Sequence, residues 1–502
     1  MESGILGAAL TAAGLALAYR VLQAPLAEVT ALCVAPAVAF ARGHAVFHLL
    51  GQGATLGCVH SPVQVLFYAV AGALSYPSSA MILATFMNLA LVLLAAAVWL
   101  RAQERDGRLV AMAWVCLTFF LLSDPATATF IHETRVDGLG LGLSWLALAF
   151  LCRAAGRDRA VGWAAASAFC GAAAALTKIS FVPVAAALWA AAFVFLGPRR
   201  GWKYGAFLLG SVAGLFCVGG LIFGFAAVVD VTWIQSLSAP WYGEIRTGEV
   251  AGPAKLFSRI KDVLKAKIEF ARMALPWAVI LATGLVLGWQ RIRSRRAALA
   301  WFRARENAWW LPLAVGIFVL PPALIVRSKA GGAINSPGVP LAFLMLSTVS
   351  FGLSAAAGRV AWVSAAVART AGMVVTAAAG ILLVFFAAEW RGSAKGYEKN
   401  PADEAFFFLR AHPAKAFFPE YPVSTVLAEN KLYHSEQALA EIHRWGIALF
   451  GGVRNVKAHL PERPEAIAVR WHGEIILPYY PGYTRLISLE GLSGWRIYAP
   501  EK

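Results

Sequence analysis

Long apolar stretches, separated by short polar segments, make up most of the first 390 of the 502 residues. A helix needs about 17 to 25 predominantly apolar residues to cross a bilayer. The pattern predicts a polytopic α-helical membrane protein with about 11 transmembrane helices, in a range of 11 to 13. The expected spans are 4–22, 80–100, 109–123, 137–152, 160–177, 180–197, 204–229, 273–290, 309–326, 337–353 and 369–390.

The pattern changes near residue 391, after which charged residues are frequent and no apolar run is long enough to span. Short alternating and helix-like segments follow, which predict a small C-terminal α/β soluble domain of about five strands. We therefore expect a transmembrane domain over 1–390 and a soluble domain over 391–502. The aromatic run "YYPGY" at 479–483 either stacks on sugars or forms a turn at a strand edge.

Composition supports the membrane assignment, since 59% of the residues are hydrophobic and 14% charged, against about 45–50% and about 25% in soluble proteins. The net charge of +17 comes largely from arginines in short segments between spans. The positive-inside rule accounts for this basicity, so we predict no nucleic-acid partner. The first helix is expected to be retained, although a cleaved signal peptide is an alternative.

The arginine-rich segments 101–108, 153–159, 199–203 and 291–305 are expected to face the cytoplasm. This orientation puts the N-terminus in the cytoplasm and the C-terminal domain in the periplasm. It also makes residues 23–79 a long outer loop, whose apolar segments we expect to form membrane-surface helices.

The segment "HETRVDGLGLGL" places Glu133, Arg135 and Asp137 at the mouth of an apolar run. Ionisable groups inside the hydrocarbon cost about 2.5 to 3.5 kcal/mol each on insertion scales, so they are usually paired or line a wet cavity. If the helix begins by residue 133, Glu133 and Asp137 share a face. The alternative is that these charges mark the water boundary.

Four further segments on the same predicted side contain polar candidates. Lys178 in "ALTKISFVP" either neutralises a phosphate or snorkels from a helix end. Glu28 is the only acidic residue between 3 and 103, and His60 precedes a proline-led apolar segment. Lys329 and Asn335 flank a glycine-rich turn whose backbone amides could hold an anion.

A metal site has little support in the sequence. His44 and His48 are four residues apart, which would place both on one face of a helix, but no third ligand is adjacent. We therefore assign no metal ligands, and the need for a divalent metal stays open.

Taken in order, these segments resemble the GT-C glycosyltransferases of the aminoarabinose-transferase and protein-mannosyltransferase type, similar to glycosyltransferase family 39. The matching pieces are Glu28 with "ARGHAVFH", "HSPVQVLFYAV", "TRVDGLGLGLSWLAL", "ALTKISFVP" and "KAGGAINSPGVPLAFLML". The chain has a single glutamate where the family has an aspartate, and Ser61 and Pro62 where the family has two prolines.

The resemblance implies a multi-pass enzyme of the bacterial inner membrane that moves a hexosyl or pentosyl group from a polyprenyl-phosphate donor to a periplasmic lipid or glycan, with inversion. By position, it implies that Glu28 or Asp137 is the general base. Substrate and donor phosphate would be bound by a larger set of residues: Arg135, Lys178, Glu133, His60, Lys329 and Asn335.

Two other functions fit some of the same features. A transporter or lipid flippase would also place ionisable residues in a cavity, but no inverted repeat is visible in the sequence. A polysaccharide polymerase or ligase would share the lipid-linked donor. Such an enzyme is expected to have a larger charged loop between late helices than residues 230–272 provide.

Overall fold

The structure is a computed structural model that describes residues 2–22, 28–57, 61–155, 160–235, 253–289, 294–304, 307–329, 335–360, 363–393, 400–470, 473–492 and 494–501. Each of the eleven predicted spans coincides with a helix. They are α1 (Glu2–Leu22), α4 (Pro77–Gln103), α5 (Gly107–Ser123), α7 (Val136–Ala154), α8 (Ala160–Ala175), α9 (Val182–Leu196), α10 (Pro198–Phe223), α12 (Pro253–Trp289), α14 (Trp310–Ser328), α15 (Asn335–Ala356) and α16 (Ala365–Ser393).

Nine helical segments of the described chain are long and apolar enough to cross a membrane, while α5 and α8 are apolar but shorter. The prediction of a multi-pass membrane protein is therefore confirmed. Shorter helices connect or flank the spans: α2 (Glu28–Ala41), α3 (Pro62–Gly72), α6 (Pro125–His132), α11 (Phe225–Val229) and α13 (Arg295–Arg303), with a 3-10 turn at Ile179–Phe181 and a π-helix at Asp230–Gln235.

The C-terminal part of the chain forms a small mixed sheet with helices around it. Its helices are α17 (Pro401–Ala411), α18 (Pro422–Glu429), α19 (Glu436–Trp445), α20 (Val453–Lys457) and α21 (Gly473–Ile476), and its strands are β1 (Ala416–Phe417), β2 (Ala466–Val469), β3 (Arg485–Ile487) and β4 (Arg496–Ala499). The strand order is β1-β2-β4-β3, parallel between β1 and β2 and antiparallel elsewhere. Four strands are described where the sequence predicted about five.

Several connections between the membrane helices lie at one end of the bundle. Gly219, near the end of α10, packs against Pro62, and Gly338, near the start of α15, packs against the carbonyl of Ala126. At the start of α4, the Ser78 amide donates to Asp403 of the C-terminal part at 3.0 Å. The described connections near residues 62, 78, 126 and 338 therefore lie on the same side of the protein as the C-terminal domain.

Helix α2 is enclosed by protein. Residues 30–39 are all buried, and α2 shares a hydrophobic cluster with α3, α17 and α18. A Cβ atom at Gly72 of α3 would lie 2.8 Å from the carbonyl oxygen of Ala37, so glycine permits the close approach of α2 and α3. Helix α2 is thus packed between the membrane helices and the C-terminal domain, while α3 leaves Leu66 and Val70 exposed.

The loop between α2 and α3 is hydrogen-bonded to the C-terminal domain. The Thr55 amide donates to His434 Nδ1 at 2.9 Å, and the Ser435 hydroxyl donates to the Leu56 carbonyl at 2.7 Å. Because Nδ1 accepts a hydrogen bond, the buried His434 ring is neutral. Burial, together with the neighbouring His459 and His48, lowers the pKa of His434 to about 4.

This interface predicts a loss of stability in acid. A histidine that is buried as a neutral ring binds a proton more readily when unfolded, so stability falls as the pH drops from about 6.5 towards about 4, by up to roughly 3 kcal/mol. We expect the melting temperature in detergent to fall across this window. His434→Asn, whose amide oxygen can replace the Nδ1 acceptor, should flatten the profile.

The matched control is His412→Asn, because His412 is exposed. An unchanged pH profile in His434→Asn would contradict the assignment.

Candidate functional site

An ion pair joins the start of α7 to the turn after α8. Lys178 Nζ donates to both carboxylate oxygens of Asp137, at 3.0 and 3.1 Å. The side chains are 14% and 4% exposed, respectively. A charge so deeply buried needs a partner, because its desolvation cost is otherwise uncompensated. The two residues that were predicted separately from different segments therefore act as one unit.

Glycines in α7 allow this pair to form. A Cβ atom at Gly138 would lie 2.4 Å from Asn88 Nδ2 of α4, and one at Gly140 would lie 2.7 Å from Thr177 Oγ1 and from the Phe181 ring. The alternating glycines of "VDGLGLGL" thus let α4 and the 176–181 turn pack directly on α7. This packing places Lys178 within reach of Asp137.

A second ion pair precedes α7. Glu133 and Arg135 have extended backbone conformations, so α7 begins at Val136 and not by residue 133. The condition for Glu133 and Asp137 to share a helix face is therefore not met. Instead, Glu133 accepts a hydrogen bond from Arg135 Nε at 2.5 Å. Burial lowers the pKa of Arg135, but the Glu133 carboxylate outweighs this effect and leaves the pKa above its usual value, so the guanidinium stays charged.

Hydrogen bonds between threonines hold the start of α2 next to the 133–135 segment. The Thr134 amide donates to Thr30 Oγ1 at 3.3 Å, and the Thr134 hydroxyl lies 2.8 Å from that of Thr85 in α4. Glu28, which is half-buried, is in the first turn of α2, two residues before Thr30. The structure therefore places the first turn of α2 beside the 133–135 segment, which contains one ion pair and precedes the other.

Asn88 is a site residue that the sequence interpretation missed. Its side chain is fully buried in α4, and Nδ2 donates to the Phe130 carbonyl at 3.0 Å and to the Glu133 carbonyl at 3.4 Å. Its Oδ1 accepts from the Tyr68 hydroxyl of α3 at 3.1 Å. Asn88 thus fixes the 130–133 segment relative to α3 and α4. A lone amide in the apolar run "FMNLAL" was the available signal.

The remaining predicted residues are less closely connected to these pairs. Lys329 follows α14 and is half-buried, and the preceding Arg327 pairs with Glu269 of α12 at 3.2 Å. Asn335 begins α15, which packs on α6, but its side chain lies outside the described residues. His60 is also outside them. The structure therefore brings together Glu133, Arg135, Asp137, Lys178 and the α2 turn that contains Glu28.

The described segments contain no evident metal site. No three His, Cys, Asp or Glu side chains are grouped there so that they could hold a metal ion. His48 bonds to the Ala45 carbonyl at 2.8 Å, and His44 lies 3.0 Å from Asn430 Oδ1, so each ring has its own partner.

Breaking the buried pair should destabilise the protein strongly. Asp137→Asn or Lys178→Met alone leaves one buried charge without its counter-ion, which costs about 3 to 5 kcal/mol. The double variant removes both charges, so its loss should be well below the sum of the two single losses. Unfolding of the four proteins in detergent measures the coupling. Additive losses would show that the pair is not coupled.

Removing the Asn88 amide should loosen the 130–133 segment. Asn88→Leu leaves two carbonyl groups and the Tyr68 hydroxyl without this partner, and each buried unsatisfied group costs about 1 to 3 kcal/mol. Tyr68→Phe removes one bond and should cost about 1 kcal/mol. Hydrogen exchange of the 130–135 amides should accelerate in Asn88→Leu. Unchanged exchange would show that other contacts fix the segment.

No family model and no curated protein matches the chain. Among solved structures it is similar to ArnT from Cupriavidus metallidurans bound to undecaprenyl phosphate, with 17% identity, a TM-score of 0.56, and coverage of 99% of this chain and 97% of that one. It also matches the oligosaccharyltransferase of Archaeoglobus fulgidus in the apo form, with 13% identity, a TM-score of 0.43, and 94% and 70% coverage.

A third match is AglB of Archaeoglobus fulgidus in complex with an inhibitory peptide and a dolichol-phosphate, with 13% identity, a TM-score of 0.43, and coverage of 99% of this chain and 74% of that one. The likeness to ArnT extends over nearly the whole of both chains. The predicted fold class is therefore confirmed: the chain is a polytopic α-helical membrane protein with the fold of ArnT and a small C-terminal domain.

Proposed function

We propose that the chain is a membrane glycosyltransferase that moves a sugar from a polyprenyl-phosphate donor to a lipid or glycan acceptor. The observation that carries the proposal is the juxtaposition of two ion pairs, Glu133–Arg135 and Asp137–Lys178, with the first turn of α2 at one end of the helices. The structure of ArnT with undecaprenyl phosphate has the same fold, which supports a lipid-phosphate ligand.

Arg135 and Lys178 would bind the donor phosphate. An arginine has five N–H donors, and the contact with Glu133 uses Nε–H, so the terminal NH groups can be directed at an anion. The Lys178 ammonium has three protons and can contact a phosphate oxygen beside Asp137. Charge-assisted hydrogen bonds of this kind strengthen as the leaving phosphate gains charge. His60, Lys329 and Asn335 remain proposed substrate contacts.

Glu28 would be the general base. Both Asp137 oxygens already accept hydrogen bonds from Lys178, so we assign Asp137 to hold that lysine in place. In the reaction, the acceptor hydroxyl oxygen bonds to the anomeric carbon from the face opposite the phosphate and the configuration inverts. The bond from that carbon to the phosphate oxygen breaks, polyprenyl phosphate leaves, and the hydroxyl proton passes to Glu28.

In this proposal the enzyme lies in the bacterial inner membrane, with its N-terminus in the cytoplasm and residues 391–502 in the periplasm. This arrangement is supported because the helix connections and the C-terminal domain lie on the same side of the protein. Both would then face the aqueous compartment that supplies the acceptor. A labelling reagent that does not cross the membrane should modify cysteines introduced after α16 from the periplasmic side.

The test is transfer of radiolabelled sugar from short-chain polyprenyl-phosphate donors by the full-length protein in detergent. Glu28→Gln should lower kcat by about 10² to 10⁴-fold, the usual contribution of a general base, without loss of donor binding. Asp137→Asn should weaken donor binding, because Lys178 is no longer held. Glu104→Gln is the matched control, since it disrupts the ion pair between the buried Glu104 and the partly exposed Arg359 at the other end of α4.

A different result would make Asp137 the base. In that case Glu28→Gln would keep full activity, while Asp137→Asn would lose turnover at unchanged donor affinity. Absence of donor binding and of transfer for every donor would refute the proposal and favour a transporter or lipid flippase.

A further inference from the structure

A cleft of about 220 Å³ lies in the C-terminal domain, beside the edge strand β1. It is far along the chain from the proposed catalytic residues and includes none of them. The side chains and backbone that line it are Ala414, Ala416, Phe417, Thr425, Glu429, Lys431, Tyr433, Pro461, Glu462, Arg463 and Pro464.

One wall of the cleft is held by the "YYPGY" segment. The Tyr480 hydroxyl donates to the Pro461 carbonyl at 2.7 Å, and the Tyr483 hydroxyl donates to the Pro464 carbonyl at 2.5 Å. These two tyrosines therefore support the 461–464 segment from behind instead of lining the cleft. The wall is fixed without any ligand.

The lining of the cleft also includes two features that are unfavourable for folding. Thr425 is 5% exposed, and its hydroxyl has no hydrogen-bond partner among the described residues. Ala414 has a φ of +60°, a left-handed conformation unfavourable for a residue with a Cβ, and its amide donates to Glu429. Strain and unsatisfied polar groups of this kind concentrate at ligand sites.

The chemistry of the lining is balanced in charge. Glu429 and Glu462 supply acceptors, while Lys431 and Arg463 supply donors, and Lys431 Nζ lies 3.6 Å from Glu429 Oε2. Phe417 and Tyr433 pack edge to face at a centroid distance of 5.7 Å and add an aromatic surface. Two carboxylates disfavour a phosphate, and four charged groups disfavour an acyl chain.

We propose that this cleft binds one saccharide unit. A sugar ring has apolar C–H faces that pack on aromatic rings, and hydroxyl groups that both donate to carboxylates and accept from lysine and arginine. Pockets for drug-sized ligands measure about 300 to 1,000 Å³, so 220 Å³ suits a single ring. The proposal that the cleft binds a saccharide does not depend on the proposed transferase activity. The further step, that this saccharide is part of the acceptor, rests on the proposed function.

The experiment is saturation-transfer NMR of the full-length protein with methyl glycosides of hexoses, pentoses and N-acetylhexosamines. The detergent must lack a sugar head group, which would compete. At least one glycoside should bind saturably, and Lys431→Ala and Tyr433→Leu should each weaken it by about tenfold. Thr425→Val should weaken binding without lowering the melting temperature, because it removes a buried unsatisfied hydroxyl.

Lys457→Ala is the control, since Lys457 is exposed in α20 and outside the cleft. Binding of no glycoside, or equal binding by the cleft variants, would overturn the proposal, as would displacement of the glycoside by inorganic phosphate. Glu28→Gln should retain glycoside binding. Loss of transfer with every donor but retention of glycoside binding would refute the transferase and leave the saccharide site in place.

If the saccharide belongs to the acceptor, Lys431→Ala should raise the acceptor KM about tenfold and leave kcat unchanged. A change in donor hydrolysis instead would point to a structural effect that reaches the membrane site.

Discussion

The free-energy cost of burying charged groups in a low-dielectric helix bundle determines how the helices pack around Asp137 and Lys178. Asp137 and Lys178 are almost enclosed, and each is tolerable because the other lies 3 Å away. Their pairing requires α7 and the turn after α8 to approach each other closely. Gly138 and Gly140 provide that approach, so the backbone packing and the electrostatics of α7 depend on the same short segment.

A chain of neutral hydrogen bonds extends this constraint to the neighbouring helices. Asn88 joins α3 and α4 to the 130–133 segment, and Thr134 joins α2 and α4 through Thr30 and Thr85. Neutral partners are well suited to this task, because they fix a backbone segment without adding buried charge. The backbone of the 130–134 segment is thus held by contacts that carry no charge, while the charged side chains of residues 133–137 are oriented by their ion pairs.

Most of the helical architecture could be predicted from sequence, because a run of apolar residues is a one-dimensional signal that directly reports helix length. The partners of the polar residues could not. Lys178 was expected either to neutralise a phosphate or to snorkel from a helix end, and its contact with Asp137 depends on how α7 and α8 pack. The predicted span began at residue 137, next to the observed start of α7 at Val136. An earlier start by residue 133 was also compatible with the sequence, since a segment with charged residues at every second position fits an extended strand or a helix.

The C-terminal domain and the membrane helices are connected through the segment between α2 and α3. At one end of this segment, Thr55 and Leu56 bond to His434 and Ser435. Tyr433, the residue before His434, lines the cleft. At the other end, α3 begins and leads to Tyr68, which bonds to Asn88 beside the ion pairs.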